Sequence, residues 1–113
     1  MTARLASKVL VSALIRTAES AGGFAAVVRR GDPDAGAVLI QTLEKGRISG
    51  LWERMPSDPD TRKWQRVGPQ DTDSIEEMLA YVARRIDRDR DLWLVELDIA
   101  NAERFVAETA TTD

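Results

Sequence analysis

The sequence predicts an α+β domain, a mainly antiparallel sheet of four or five strands packed against two helices. Three observations carry that prediction. Apolar residues recur at helical spacing in two stretches, around 5–21 and 73–86. Between and after them lie short runs rich in branched and aromatic residues, the types that suit a pleated surface. Clusters of Gly, Pro and Asp separate those runs, and these residues favour chain reversal.

From Leu5 to Ala21, polar positions Arg4, Lys8, Ser12, Arg16 and Ser20 step by four and leave Leu10, Leu14, Ala18 and Ala21 on another face, the pattern of an amphipathic helix. A competing reading places Val9 and Val11 in a short strand, with Ser12 capping a shorter helix. Gly22-Gly23 ends the helix, because glycine accepts a left-handed backbone. Phe24 to Arg29 and Ala37 to Glu44 read as an antiparallel pair joined through Gly31-Asp32-Pro33-Asp34-Ala35-Gly36. Lys45-Gly46 reverses the chain into a third strand, Ile48 to Arg54, with Ile48, Gly50 and Trp52 on one face and Ser49, Leu51 and Glu53 on the other. A loop at Pro56–Asp60 precedes a short fourth strand, Arg62 to Val67, closed by Gly68-Pro69. Asp73, three positions before Glu76, offers a helix cap, and Ile75, Leu79, Val82 and Ile86 mark the apolar face of the helix that follows. Leu92 to Leu97 completes the sheet, with Trp93, Val95 and Leu97 on one face. Both helices are expected to cover one apolar sheet face.

The length of 113 residues suits a single domain over 1–113, with a frayed tail from about residue 108. With 43% hydrophobic and 31% charged residues, the chain lies close to the globular average. Its 16 basic against 19 acidic residues leave a net charge of -3, which disfavours nucleic acid as a partner. The absence of Cys and His removes disulfides, thiolate chemistry, the common zinc ligands and the usual neutral-pH proton shuttle. These absences weigh against an enzyme, and no cofactor is signalled. Arg4 and Lys8 before the apolar Val9–Ile15 stretch outline a weak signal peptide, but Ser12 and Arg16 interrupt it at helical spacing. No stretch approaches the ~20 apolar residues of a membrane span, so a cytoplasmic location with no membrane partner is expected.

Candidate ligand-binding residues are Arg29, Arg30, Asp32 and Asp34, since paired aspartates on a tight loop can hold Mg²⁺ and the arginines can meet an anion. Turn chemistry alone also explains them. Pro33-Asp34 with Glu44-Lys45 approximates a metal-dependent nuclease pattern, but the missing residue between Glu44 and Lys45 puts those side chains on opposite strand faces. Trp52, Trp64 and Trp93 among Arg54, Arg62, Lys63 and Arg66 can form a stacking surface for single strands, or sheet core. The alternating charges from Arg84 to Asp91 read as a solvated helix end, and adjacent Glu76 and Glu77 serve the helix start rather than acid–base chemistry.

Val11-Ser-Ala-Leu-Ile-Arg, Ala21-Gly-Gly-Phe-Ala, Val28-Arg-Arg-Gly-Asp-Pro-Asp-Ala-Gly-Ala-Val, Trp64 with its basic flank and Asp91-Leu-Trp-Leu-Val-Glu resemble a family of short bacterial proteins known as domain of unknown function 1491. The Arg-Arg-Gly-Asp-Pro-Asp-Ala-Gly run is the most specific part, and the resemblance stops at Asp98. It implies a compact bacterial stand-alone domain and transfers no catalytic residue. The leading functional expectation is a non-enzymatic interaction or accessory domain that meets a protein partner or forms a homodimer through an exposed sheet edge. The alternatives are a small-ligand, anion or Mg²⁺ site, with room for hydrolysis, at Arg29–Gly36, and single-stranded nucleic-acid binding.

Overall fold

The computed structural model describes residues 6–54, 64–70 and 74–109. Along the chain run α1 (Ser7–Ser20), β1 (Phe24–Arg29), β2 (Val38–Glu44), β3 (Arg47–Arg54), β4 (Gln65–Val67), α2 (Ile75–Arg88), β5 (Trp93–Asp98) and α3 (Ala102–Thr109). The strands form one sheet in the order β1-β5-β2-β3-β4. All neighbours are antiparallel except β2 and β5, which run parallel with Val38 beside Trp93 and Thr42 beside Leu97.

The sheet departs from the expected meander at one point. β1 and β2 are not neighbours, because β5 lies between them and pairs with both. Burial explains its central position: Leu92 to Val95 are all at most 4% exposed, as Ala37 to Ile40 are at most 2% exposed. Runs buried on both faces belong at the middle of a sheet. Gly31–Gly36 is therefore no hairpin turn but a crossing over the start of β5.

The helices also divide differently from expectation, with α1 and α3 on one face and α2 on the other. Leu10, Val11, Leu14 and Ala18 of α1 and Val106 of α3 pack with Ala25, Val38, Ile40, Trp52, Trp93, Val95 and Leu97. Met78 and Val82 of α2 pack with Leu39, Leu51, Leu92 and Leu94 on the opposite face. Leu79, expected on the buried stripe, is half exposed. The α2 cap is Ser74 rather than Asp73: the Ser74 hydroxyl accepts from the Glu77 amide at 3.2 Å.

α1 is a continuous helix, so Val9 and Val11 form no strand. It ends at Gly22, whose φ of +85° is open to glycine, while Gly23 N donates to Ala18 O at 2.8 Å. Lys45 and Gly46, at φ of +54° and +80°, make the tight β2–β3 turn. Ser49 is skipped in the β2–β3 register, where Thr42 faces Gly50 and Leu43 faces Ile48. This bulge moves Ile48 to the α2 side, opposite its expected partners Gly50 and Trp52. α3 was not expected from the sequence; the chain turns into it at Asn101, with φ of +55°. The Pro56–Asp60 loop and residues Arg62 and Lys63 lie outside the described residues.

Candidate functional site

The specific Arg29–Gly36 run builds a junction. The Asp91 carbonyl accepts from the Asp32 amide at 3.0 Å, and a Cβ at either Gly31 or Gly36 would collide with that carbonyl oxygen. The crossing wraps the Asp91 peptide, and only glycine permits the approach from both sides. Trp93 Nε1 donates to Asp32 O at 2.7 Å, which fixes the first ring of β5 beneath the crossing. The outer side holds α1. Pro33 O and Asp34 O accept from the Lys8 and Ser7 amides at 2.9 and 3.1 Å, and Ser7 Oγ donates to Gly36 O at 2.6 Å. Because Ala6 gives the helix no side-chain cap, these carbonyls satisfy first-turn donors that would otherwise be orphaned.

The four candidate ligand residues take separate positions on this junction. One carboxylate oxygen of Asp32 accepts from the Asp34 and Ala35 amides at 3.2 and 2.8 Å. Arg29 reaches the Arg90 carbonyl at 3.2 Å, while Arg30 lies over the Trp93 ring at 5.7 Å from its centroid. Asp34 is exposed. Among the described residues, no group of three acidic side chains is placed to hold a metal ion. Asp34 precedes the start of β2, whereas Glu44 is its last residue and Lys45 follows it, so the two lie at opposite ends of the strand.

The three tryptophans are core: Trp52 and Trp64 are 7% exposed and Trp93 is 3% exposed, so these rings do not form the exposed stacking surface considered from sequence. Of the Arg84–Asp91 charges, Arg85 reaches across to Glu53 on β3 at 2.8 Å.

Exposed apolar side chains gather elsewhere, on β1. Phe24, Val27 and Val28 are 58%, 41% and 53% exposed on a strand that ends the sheet order. α2 packs over Leu39, Leu51, Leu92 and Leu94, a cluster that does not extend to Phe24. On the other face, Val27, Val9, Val11 and Ile15 line a groove of about 480 Å³ between β1 and α1, bordered by the cations Lys8, Arg16 and Arg30. Periodicity located β1, but its position at the edge depends on β5, a strand more than sixty residues away.

A family model described as "Protein of unknown function (DUF1491)" matches residues 5–107, almost the whole described chain. The chain belongs to the DUF1491 family. The family match extends past Asp98 and includes most of α3. A crystal structure of a DUF1491 family protein from Caulobacter crescentus CB15 is 33% identical with a TM-score of 0.72, covering 91% of this chain and 94% of that one. An NMR structure of a DUF1491 family protein from the same organism is 31% identical, with a TM-score of 0.74 and coverage of 93% and 94%. The solution structure of a protein from A. tumefaciens is 34% identical, with a TM-score of 0.68 and the same coverage. These DUF1491 relatives are bacterial, and their names assign no activity. The comparison with curated proteins gives no match. No helix among the described residues is long and apolar enough to cross a membrane.

Proposed function

We propose that this DUF1491 chain is a non-enzymatic bacterial interaction module, acting as one domain in the cytoplasm, that receives an extended segment of a protein partner along β1. The observation that carries the reading is the coincidence of exposed Phe24, Val27 and Val28 with a terminal strand of the sheet. An unpaired edge offers main-chain donors and acceptors to an added strand, and exposed side chains beside it supply specificity. The register shift between Val27 and Arg29 limits pairing to a short stretch and so restrains open-ended stacking. Lys8, Arg16 and Arg30 around the adjoining groove favour acidic flanks on the incoming segment. A cytoplasmic setting is supported by α1, which packs on the sheet the apolar stretch that would otherwise outline a leader.

Selection from a displayed library of extended peptides tests this reading. Apolar segments with acidic flanks should be enriched, should slow hydrogen exchange of β1 amides, and should lose binding to Val27→Lys. Enrichment of no such class, or binding unchanged by Val27→Lys, would refute it. Light scattering on the same samples separates a peptide partner from a second copy, since self-pairing doubles the mass and Val27→Lys abolishes the doubling.

A further inference from the structure

On the opposite half of the sheet, a cavity of about 760 Å³ opens between α3 and the β2–β3–β4 strands, at the carboxyl ends of the parallel strands β2 and β5. Its volume falls within the range of small-molecule sites, and the carboxyl ends of parallel strands are where open sheets place ligands. Several features of the sequence converge on its floor. In register, Ile40, Trp52 and Arg66 form one cross-strand row, with Thr42 and Gly50 in the next. Gly50 has no side chain, and the Arg66 guanidinium fills that space; a Cβ there would meet its Cζ at 3.1 Å. The guanidinium also lies over the Trp52 ring, 5.1 Å from the centroid, and its Nη2 donates to Ser49 O at 3.3 Å. The β3 bulge turns the Ser49 hydroxyl onto Thr42 Oγ1 at 2.9 Å.

Arg66 is thus held in place but not neutralised. Among the described residues it has no carboxylate partner, and its Nε is buried with no hydrogen-bond acceptor. Arg85 and Arg104 instead pair with Glu53 and Glu108. A partly buried cation left without a counter-charge is costly, and a bound anion removes that cost. The other charges lining the cavity are the acids Glu44, Asp98 and Glu103 and the cations Lys45 and Arg104, all exposed, so the lining holds no excess of positive charge to favour a multiply charged anion.

We propose that this cavity binds a small organic molecule carrying a single carboxylate, with the carboxylate on the Arg66 guanidinium and the Ser49 hydroxyl beside it. The site is independent of the β1 edge. Titration of the ¹⁵N-labelled full chain with lactate and benzoate, with inorganic phosphate and chloride in parallel, tests it. The carboxylates should give saturating shifts at Arg66 Nε–H, Trp52 Nε1–H and the Ser49 and Gly50 amides. Phosphate should bind more weakly, and chloride should give only small, linear shifts. Arg66→Met, which keeps a long side chain over Trp52, should abolish saturation; Arg66→Lys should retain a weaker version; Arg84→Ala, exposed on α2 away from the cavity, should bind as the parent does. Absence of saturation with both carboxylates, saturation that survives Arg66→Met, or tighter binding of phosphate would each overturn the proposal.

Discussion

At the residue scale, the Arg29–Gly36 run separates residues that hold the fold from residues that are free to vary. Gly31 meets the Asp91 and Leu92 backbone, which cannot swing aside as the end of a flexible side chain can. Gly31→Ala should therefore lower stability by about 1–3 kcal/mol, the range for overpacking a tight contact. Asp32→Ala removes an acceptor shared by two amides and should cost about 1 kcal/mol with no ligand present, whereas Asp34→Ala should lie within about 0.5 kcal/mol of the parent. Thermal unfolding of the three variants checks this ranking, and a stability loss in Asp34→Ala equal to that in Asp32→Ala would contradict the junction geometry. The residue types in this run were legible from sequence as turn formers. Their long-range partners were not, because Asp91 and Ser7 approach from separate elements and leave no local periodic signal.

At the scale of elements, existence was easier to read than orientation. α2 was located from its spacing, yet the stripe through Leu79 is displaced from the face that meets the sheet. Met78 is 5% exposed and Leu79 is 49% exposed, although the two side chains are similar in size and adjacent. Met78→Ala should cost about 2–5 kcal/mol through the cavity it leaves, and Leu79→Ala less than about 1 kcal/mol. Denaturant midpoints at constant slope check the pair, and equal losses would mean that α2 packs through the stripe read from sequence. α3 escaped the sequence reading for a different reason. It is short, Val106 is its only buried residue among those described, and its start depends on Asn101 in a left-handed conformation rather than on a capping pattern. The candidate cavity was equally hidden: Arg66 was read as part of a basic flank, while its position over Gly50 and Trp52 follows from strand register and the bulge at Ser49.

At the scale of the whole molecule, strand order decides what can fold alone, and local sequence says little about it. Ala37–Ile40 and Leu92–Val95 both read as buried strands, but nothing nearby states that they pair in parallel with β1 beyond. A meander and the observed order make opposite predictions for a fragment ending at Arg54, which contains α1, β1, β2 and β3. In a meander it would form a continuous three-stranded sheet under a helix, a minimum for independent stability. In the observed order β1 is cut off from β2 by the missing β5, and α1 loses Trp93, Val95 and Leu97 from the surface it packs on. The fragment should therefore show no cooperative thermal transition by circular dichroism. Adding a peptide spanning 74–109 should restore structure, because it supplies β5 between the two halves of the sheet together with α2 and α3 above and below it. The intact chain should fold slowly for a domain of its size, since the central pairings join residues 55 to 74 positions apart and the closure entropy precedes the gain in contacts. A cooperatively folded 1–54 fragment would mean that β1 can pair without β5, and would remove the physical basis for β1 as a free edge.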